Sequence, residues 1–218
     1  MKTIIHTARA LGLLGVLALF SAMPLDEAGA QSVTLRKSTA GYFVGKIADY
    51  ANGRLTVHTE EGEILKVTVS SRTKIALLKP ADFMDIEEGT YIASAGREMD
   101  AENIEAIELR IMEERLRGIG EGYRPFYGSG EEDATMINAK VVTISTTEFP
   151  PKILVRFRGK DKNIILPDEV PIMFQSIGDA SALVPEAPVS VFTVRSRTTG
   201  KIDAVRISIG LDGIQPQF

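Results

Sequence analysis

Two stretches of the chain share the clearest pattern of apolar and polar positions. Residues 103–111 and 201–209 alternate in the same way, and their apolar positions hold similar residues in the same order. Such alternation is typical of a β-strand with one buried face. The outward positions differ, since Glu108 of the first stretch corresponds to Arg206 of the second. We therefore expect the apolar positions to form the same core twice, and a recognition surface where the copies differ.

The first repeat, residues 41–112, predicts five strands and one short helix. Apolar runs and period-two alternation place the strands, and Asn52-Gly53 predicts the first hairpin turn. A proline near the start and a glycine beyond the end favour a helix of one or two turns between strands three and four. The expected strands lie at residues 42–47, 55–59, 65–69, 91–95 and 103–112, and the expected helix lies at residues 79–86.

The second repeat, residues 136–210, has the same order of predicted elements. Three strands, a short helix and two strands form the order of a small Greek-key barrel of the OB type. We therefore expect an all-β fold with two tandem five-stranded OB-like barrels, each with a short helix between strands 3 and 4. Residues 113–135 form a linker rich in glycine and aromatic residues that is expected to lie against a barrel, and residues 211–218 form a C-terminal tail.

The first thirty residues have the pattern of a cleavable secretory signal. Lys2 and Arg9 give a positive start, an apolar run follows, and residues 28–30 form a small-residue cleavage site. The alternative is an uncleaved membrane anchor, for which the apolar run is short. We expect residues 1–30 to be removed, which predicts a periplasmic or secreted protein without a membrane span.

Charge and residue usage limit the chemistry open to the chain. The 25 Lys+Arg and 29 Asp+Glu residues give a net charge of −4 at pH 7, which disfavours nucleic-acid binding because that depends on neutralising phosphates. There is no cysteine, and His58 is the one histidine left after signal removal. These counts argue against zinc sites with several N or S ligands and against Ser-His-Asp catalysis. We therefore assign no catalytic residue and no cofactor, and expect His58 to be exposed on its strand.

An acidic cluster stands near the predicted turn between strands four and five of the first repeat. Glu98, Asp100 and Glu102 are weak metal-ligand candidates, since hard cations take carboxylate oxygens. Paired carboxylates can also act as acid and base. The spacing lacks the Asp-x-Asp-x-Asp-Gly pattern of a calcium loop. Glu105 and Glu108 extend the cluster, and we interpret the whole group as charges on a solvated turn.

Glycines in the linker imitate a phosphate loop at Gly118, Gly120 and Gly122. A true loop of this kind follows a strand and opens a helix. Tyr-Arg-Pro follows here, and that sequence does not open a helix, so we assign no phosphate site to these glycines.

Arginine and aromatic residues are the best candidates for binding a partner. Two pairs of arginines each share one predicted strand face, which suits an anionic envelope ligand or an acidic protein. The centre of the linker places an arginine among three aromatic residues that can stack on a sugar or a partner. The alternatives are a solubilising outer face and packing of the aromatic rings against a barrel. The candidates are Arg156, Arg158, Arg195, Arg197, Tyr123, Arg124, Phe126 and Tyr127.

Several short motifs resemble a bacterial family of small exported domains of unknown function. They are Gly-Lys-Ile at 45–47, Glu-Glu-Gly at 60–62, Thr-Lys-Ile at 73–75, Asp-Ile-Glu-Glu-Gly at 85–89 and Ala-Ile-Glu-Leu at 106–109. The joint at 115–126 and the ending at 209–216 resemble one subgroup. The domains of this family often occur in tandem, and some relatives carry transport-related names. The resemblance implies an OB-like barrel and an exported location, and it implies no activity.

The expected function is a non-catalytic binding or assembly module outside the cytoplasm. The lack of a catalytic constellation and the two scaffold-like repeats favour this interpretation. Two alternatives remain open. One is a carboxylate-dependent glycan-acting hydrolase, which needs two carboxyl groups facing one cleft roughly 5–9 Å apart. The other is an accessory protein for cation handling or transport.

Overall fold

The computed structural model describes residues 41–126 and 134–217. The predicted signal at 1–30 and the candidate Tyr127 lie outside the described residues. The described chain forms thirteen β-strands in one hydrogen-bonded sheet, with three short 3₁₀ turns. Within the same residues, no helix is long or apolar enough to cross a membrane. The all-β fold class is confirmed.

Ten strands lie where the alternation of the two repeats predicts them, and three further strands lie at residues 74–80, 122–125 and 172–178. Those of the first repeat and the linker are β1 Tyr42–Ala51, β2 Arg54–Thr59, β3 Ile64–Thr68, β4 Lys74–Pro80, β5 Tyr91–Glu98, β6 Asn103–Met112 and β7 Gly122–Pro125. Those of the second repeat are β8 Ala134–Ser145, β9 Lys152–Phe157, β10 Lys160–Ile165, β11 Ile172–Gly178, β12 Pro188–Arg195 and β13 Ile202–Gly210.

Five strands close into a mixed barrel. The order around it is β8, β9, β10, β6 and β5, and β5 returns to β8. The pairing of β10 with β6 is parallel, and the other four pairings are antiparallel. Fully buried isoleucines from all five strands fill the interior: Ile92, Ile104, Ile137, Ile153 and Ile164. Each buried side chain of this size contributes about 1.5–3 kcal/mol of hydrophobic stabilisation.

Five other strands follow a similar order without comparable closure. They run β3, β2, β1, β12 and β13. The ends of this series meet at a single residue pair, Asp203 of β13 with Thr68 of β3. A second apolar cluster, which includes Ile47, Val57 and Ile207, lies among these strands.

Strand partners are exchanged between the two repeats. The closed barrel combines β5 and β6 of the first repeat with β8, β9 and β10 of the second. In the other series, β1, β2 and β3 pair with β12 and β13. The prediction of two closed barrels in tandem is therefore wrong, because neither repeat closes on its own strands and one closed barrel is present in the described chain.

The two halves of the sheet are joined through β4 and β11. These strands pair with each other in antiparallel register, with Leu77 opposite Ser176 and Leu78 opposite Gln175. Each also runs parallel to a closing strand, β11 to β6 and β4 to β13. The pairing of β11 with β6 in one half of the sheet is therefore equivalent to the pairing of β4 with β13 in the other.

The predicted helices are shorter than expected. Each is a three-residue 3₁₀ turn, Phe83–Asp85 in the first repeat and Ala180–Ala182 in the second. The residues assigned to the start of the first helix belong instead to β4, which ends at Pro80. Lys79 and Pro80 pair with Phe174 and Met173 of β11, so this segment extends where its proline and glycine signals favour a helix.

Candidate functional site

A cavity of about 790 Å³ lies against the outer face of the closed barrel. Its walls come from β4, β5, β6, β8, β11 and β13, and the linker before β7 covers one side. This volume lies within the range of small-molecule sites, roughly 300–1,000 Å³. The cavity therefore joins the closed barrel, the central strand pair and the closing strand of the second repeat.

A bulge turns a polar face of β6 towards the cavity. Ala95 of β5 pairs with Glu108, but the next residue, Gly96, pairs with Ala106, so Ile107 is the extra residue. A bulge shifts the alternation of the residues beyond it. From that point, Leu109 packs inside the barrel while Glu108 lines the cavity.

The same bulge recurs at the equivalent place in the second repeat. Phe192 of β12 pairs with Arg206 and Thr193 pairs with Ala204, so Val205 is the extra residue. Glu108 and Arg206 thus occupy matching positions beside matching bulges. Both lie in the wall of the cavity, because strands from the two repeats meet there.

Glu108 and Arg110 form a buried ion pair on β6. The Nε of Arg110 donates to Oε1 of Glu108, and the two residues are 2% and 6% exposed. The other carboxylate oxygen, Oε2, is buried and lacks a hydrogen-bond partner among the described residues. Burial raises the pKa of the Glu108 carboxyl, and the charge of Arg110 opposes that rise.

Gln175 of β11 fixes the far side of the Arg110 guanidinium. The Nη1 of Arg110 donates to Oε1 of Gln175 at 3.2 Å. Because β11 runs parallel to β6, with Met173 opposite Arg110 and Gln175 opposite Met112, the two side chains reach each other across adjacent strands. Arg110 is therefore held in place by a charge on its own strand and by an amide on the next.

Arg206 presents its charge to the cavity. Its guanidinium lies 4.9 Å from the ring centroid of Phe192, and no carboxylate in the described part of the chain pairs with it. The side chain remains exposed to solvent. Partial desolvation of its guanidinium inside the cavity, together with the charges of Arg110 and Arg124, lowers the pKa of Arg206. Like charges that lower a pKa mark a place where a bound anion would be stabilised.

Arg124 reaches the cavity from β7. This strand pairs with β8, where Arg124 lies opposite Met136. Its Nη1 donates to the carbonyl of Gly120 at 2.9 Å, and its Nη2 lies 3.5 Å from Oδ1 of Asn138. Burial lowers the pKa of Arg124. The linker therefore adds a third guanidinium and does not merely connect the repeats.

Positive charge dominates the cavity wall. Arg72 and Lys74, from the start of β4 and the turn before it, line the cavity with the three arginines described above. Among the described residues that line it, Glu108 is the one carboxylate. An anion that enters the cavity is attracted by these positive charges.

Small residues on β5 leave room for the cavity. Ala93 lies opposite Arg110 and Ala95 opposite Glu108. The matching positions of β12 hold Ser190 and Phe192. The ring of Phe192 packs against the rings of Tyr42 and Phe126, with centroid distances of 4.8 and 6.3 Å. The cavity thus lies beside the alanines of the first repeat. At the matching place in the second repeat, the ring of Phe192 fills the space.

The predicted arginine pairs lie outside this cavity. Arg156 is bound to Asp161 through two hydrogen bonds of 2.6 and 2.7 Å. Arg158 follows in the turn after β9 and lines an open groove beside Arg117 and Lys140. The sequence predicts that Arg156 and Arg158 share one strand face. The structure differs, because β9 ends at Phe157 and Arg158 lies in the turn.

The other pair stands at the far end of β12. Arg195 is its last residue and donates to the carbonyl of Gly200 at 3.0 Å, while Arg197 follows in the turn. Of the predicted arginines, Arg124 is the one that the fold brings into the cavity.

The linker aromatics pack on the protein. Tyr123 lies against the barrel core, 6.4 Å from the ring of Phe157 and 4.3 Å from the ammonium of Lys162. Phe126 packs beside the apolar cluster of the cavity wall. The expectation that the linker lies against a barrel is confirmed for these residues, and Tyr127 lies outside the described chain.

The linker glycines turn carbonyl groups towards their neighbours. The carbonyl of Ile119 accepts from Nδ2 of Asn138 at 3.0 Å, and that of Gly120 accepts from Arg124. The amides of Ile119 and Glu121 are used inside the turn itself. A phosphate loop presents free amides, whereas these two amides are bonded within the turn.

Members of the predicted acidic cluster have separate roles. Glu98 accepts from the buried Lys162 at 2.9 Å, which lowers the pKa of its carboxyl. Asp100 accepts from the side chain and backbone of Asn103. Glu102 is exposed. Glu108 is buried in the cavity wall, so the interpretation of the whole group as solvated charges is wrong for that residue.

Metal and histidine candidates gain no support from the geometry. Within residues 41–126 and 134–217, no group of three or more His, Cys, Asp or Glu side chains is placed to hold a metal ion. His58 is exposed on β2, as its place in the alternation predicts.

Sequence reasoning missed Arg110, Gln175 and the cavity position of Arg206. The available signal was the charge difference between Glu108 and Arg206 at matching positions of the repeats. A second signal was an arginine between Leu109 and Ile111 in an otherwise apolar strand. Neither signal shows that the two strands face one cavity.

Comparison of the chain with protein-family models, with curated proteins and with solved structures finds no match. The family resemblance of the short motifs therefore stays a prediction. The function has to be argued from the geometry of the cavity, because a fold alone does not imply one.

Proposed function

We propose that this protein is a non-catalytic binding module whose ligand is a small organic anion held in the arginine-lined cavity. The observation that carries the proposal is the convergence of Arg110, Arg124 and Arg206 from three strands on a cavity lined by one carboxylate. Planar guanidinium groups suit carboxylate, sulfonate and phosphate oxygens. Arg110 and Arg124 are already oriented by hydrogen bonds, so less side-chain entropy is lost on binding.

The strand order supports a barrel of the OB type as the scaffold. A three-strand meander, a parallel pairing of its third strand and an antiparallel return to its first form the five-stranded Greek-key arrangement that often hosts ligands on its outer surface. An exported location and an anionic envelope ligand remain part of the proposal on the sequence pattern of residues 1–30. No nucleic acid is included, because the chain is acidic.

The residues that line the cavity suit the two alternative functions, glycan hydrolysis and cation handling, less well. A glycan-acting hydrolase needs two carboxyl groups in one cleft, whereas residues 41–126 and 134–217 place one carboxylate in this cavity, Glu108, and it is paired with Arg110. A cation-handling role requires oxygen ligands, and this wall presents guanidinium groups. These contrasts favour anion binding at this site.

The test is calorimetry of the purified protein at low ionic strength with acetate, succinate, inorganic phosphate and short alkyl sulfonates. We expect at least one anion to bind and to raise the melting temperature. Arg206→Gln should weaken binding roughly tenfold or more, since a hydrogen bond to a charged group contributes about 1.5–3 kcal/mol.

Arg197→Gln is the matched control, because Arg197 is exposed in the turn after β12 and lies outside the cavity. It should leave the affinity unchanged. Equal losses in the two variants, or no binding of any anion to the native protein, would contradict the proposal.

A further inference from the structure

Exposed apolar side chains gather on the cavity that holds the arginines. Ile119, Ile177 and Val205 are 48%, 46% and 44% exposed, and all three line it. They come from the linker, from β11 and from the bulge of β13. Large apolar side chains are exposed together mainly where they meet another molecule.

Buried apolar residues continue this surface into the wall. Met112, Leu116 and Met136 belong to one packed cluster and also line the cavity, next to Ala93 and Ala95. Methionine side chains are flexible and adapt to ligands of varied shape. The cavity therefore has a cationic part and an apolar part, contributed by different residues.

Small anions without an apolar part match only the cationic part of this surface. A phosphate or acetate ion can satisfy the guanidinium groups but leaves the apolar wall hydrated. Covering apolar surface contributes about 25 cal/mol per Å². A cavity of about 790 Å³ also has room for far more than a single head group.

From this combination we infer that the ligand is an amphipathic organic anion, with a negatively charged head group on an apolar chain or ring. This inference rests on the proposed function and narrows it to one ligand class. The head group meets Arg110, Arg124 and Arg206, and the apolar part lies against Ile177 and Val205.

The test is a homologous series of straight-chain alkyl sulfonates, from ethyl to decyl, each titrated below its micellar concentration. Sulfonates keep their charge at all working pH values. Affinity should rise about fourfold for each added methylene, which corresponds to about 0.8 kcal/mol, until the apolar wall is covered. Alkanols of equal length should bind at least tenfold more weakly.

Different failures are distinguishable. A series with equal affinity at every length would overturn the inference and leave the proposed anion site intact. Absence of binding by the whole series and by inorganic anions would overturn both. Alkanols that bind as tightly as sulfonates would overturn the role of the charge.

Variants of the apolar wall give an independent readout. The double variant Ile177→Thr and Val205→Thr keeps β-branched side chains at exposed strand positions. It should weaken octyl sulfonate roughly tenfold and leave ethyl sulfonate unchanged. Val194→Thr is the control, since Val194 is 50% exposed on β12 and does not line the cavity. Equal weakening of the short and long sulfonates would overturn the inference.

Membrane lipids and free organic acids share this chemistry, so vesicle sedimentation separates the two sources. Vesicles of phosphatidylglycerol and of phosphatidylcholine are the probes. No sedimentation together with octyl sulfonate binding identifies a free ligand. Sedimentation on phosphatidylglycerol that octyl sulfonate abolishes identifies a lipid in the same site. Sedimentation that octyl sulfonate does not affect would overturn the inference.

Discussion

Single residues at matching positions of the repeats decide the character of the cavity. Glu108 and Arg206 stand beside equivalent bulges, and both line the same space. The charge difference between them is readable from the sequence. The burial of Glu108 is not, because the bulge at Ile107 turns this residue to the outer face of the barrel, and β4, β11 and β13 enclose that face in the cavity.

Glu108 should make anion binding depend on pH. Burial raises the pKa of its carboxyl, so it gains a proton at a higher pH than an ordinary glutamate does. Protonation removes the one negative charge of the wall, and sulfonate affinity should therefore increase as pH falls through that raised pKa, roughly fivefold at moderate screening. Calorimetry with octyl sulfonate from neutral to acidic pH measures this.

The neighbours of Glu108 should not produce the same effect. Arginine side chains in general stay charged throughout this range. Tyr42 stays neutral, because burial and the charge of Glu108 raise its pKa. Glu108→Gln should abolish the pH dependence. If the affinity of that variant still rises on acidification, Glu108 is not the group responsible.

At the scale of elements, alternation predicted most of the strands because each has one buried face. It failed at β4 and β11. These strands lie between neighbours on both sides, so their residues do not divide into an apolar and a polar face. The helix signals near Pro80 were real but weak, and sheet hydrogen bonds outweighed them.

The two meanders should differ in hydrogen exchange. The third strand of one, β10, meets β6 over three residue pairs, whereas β3 meets β13 at one. Fewer ladder hydrogen bonds allow more frequent local opening. Peptides that cover β3 should therefore take up deuterium faster than peptides that cover β10 in exchange mass spectrometry.

Peptides from β2 and β9 serve as the reference, because each of these strands is paired on both sides. They should exchange at similar rates. Equal uptake in β3 and β10 would show that both series of strands are closed to the same degree.

On the scale of the whole molecule, the exchange of strands between the repeats could not be predicted from the sequence. β5 and β12 carry similar alternating residues, and β8 could pair with either on pattern alone. The sequence separates the two arrangements only through the path of the linker, whose strand β7 pairs with β8. Because the repeats are similar, a repeat that closes on its own strands and a pair of repeats that exchange strands would make nearly the same local contacts.

The exchange of strands between the repeats predicts that neither half of the chain folds alone as a monomer. Residues 41–126 contain β5 and β6 without the three strands that complete the closed barrel. When expressed separately, this half and residues 134–217 should each lack a cooperative thermal transition as monomers. Mixed in equal amounts, they should form a one-to-one complex with near-ultraviolet dichroism like that of the intact chain.

Light scattering after size exclusion gives the stoichiometry, and the intact chain is the control. A folded monomer of residues 41–112 with a sharp thermal transition would contradict the exchanged arrangement and favour two self-contained barrels.

The pairing of β1 with β12 also determines when the first strands of a newly synthesised chain can find their partners. Gly41 bonds Thr193, 152 positions later, so the first three strands emerge long before their partners exist. Until then the edges of β1 and β3 are open to pairing with other chains. Contacts this distant in sequence also slow folding. The interval between synthesis of the first and last strands is therefore the period in which this protein most needs protection from aggregation.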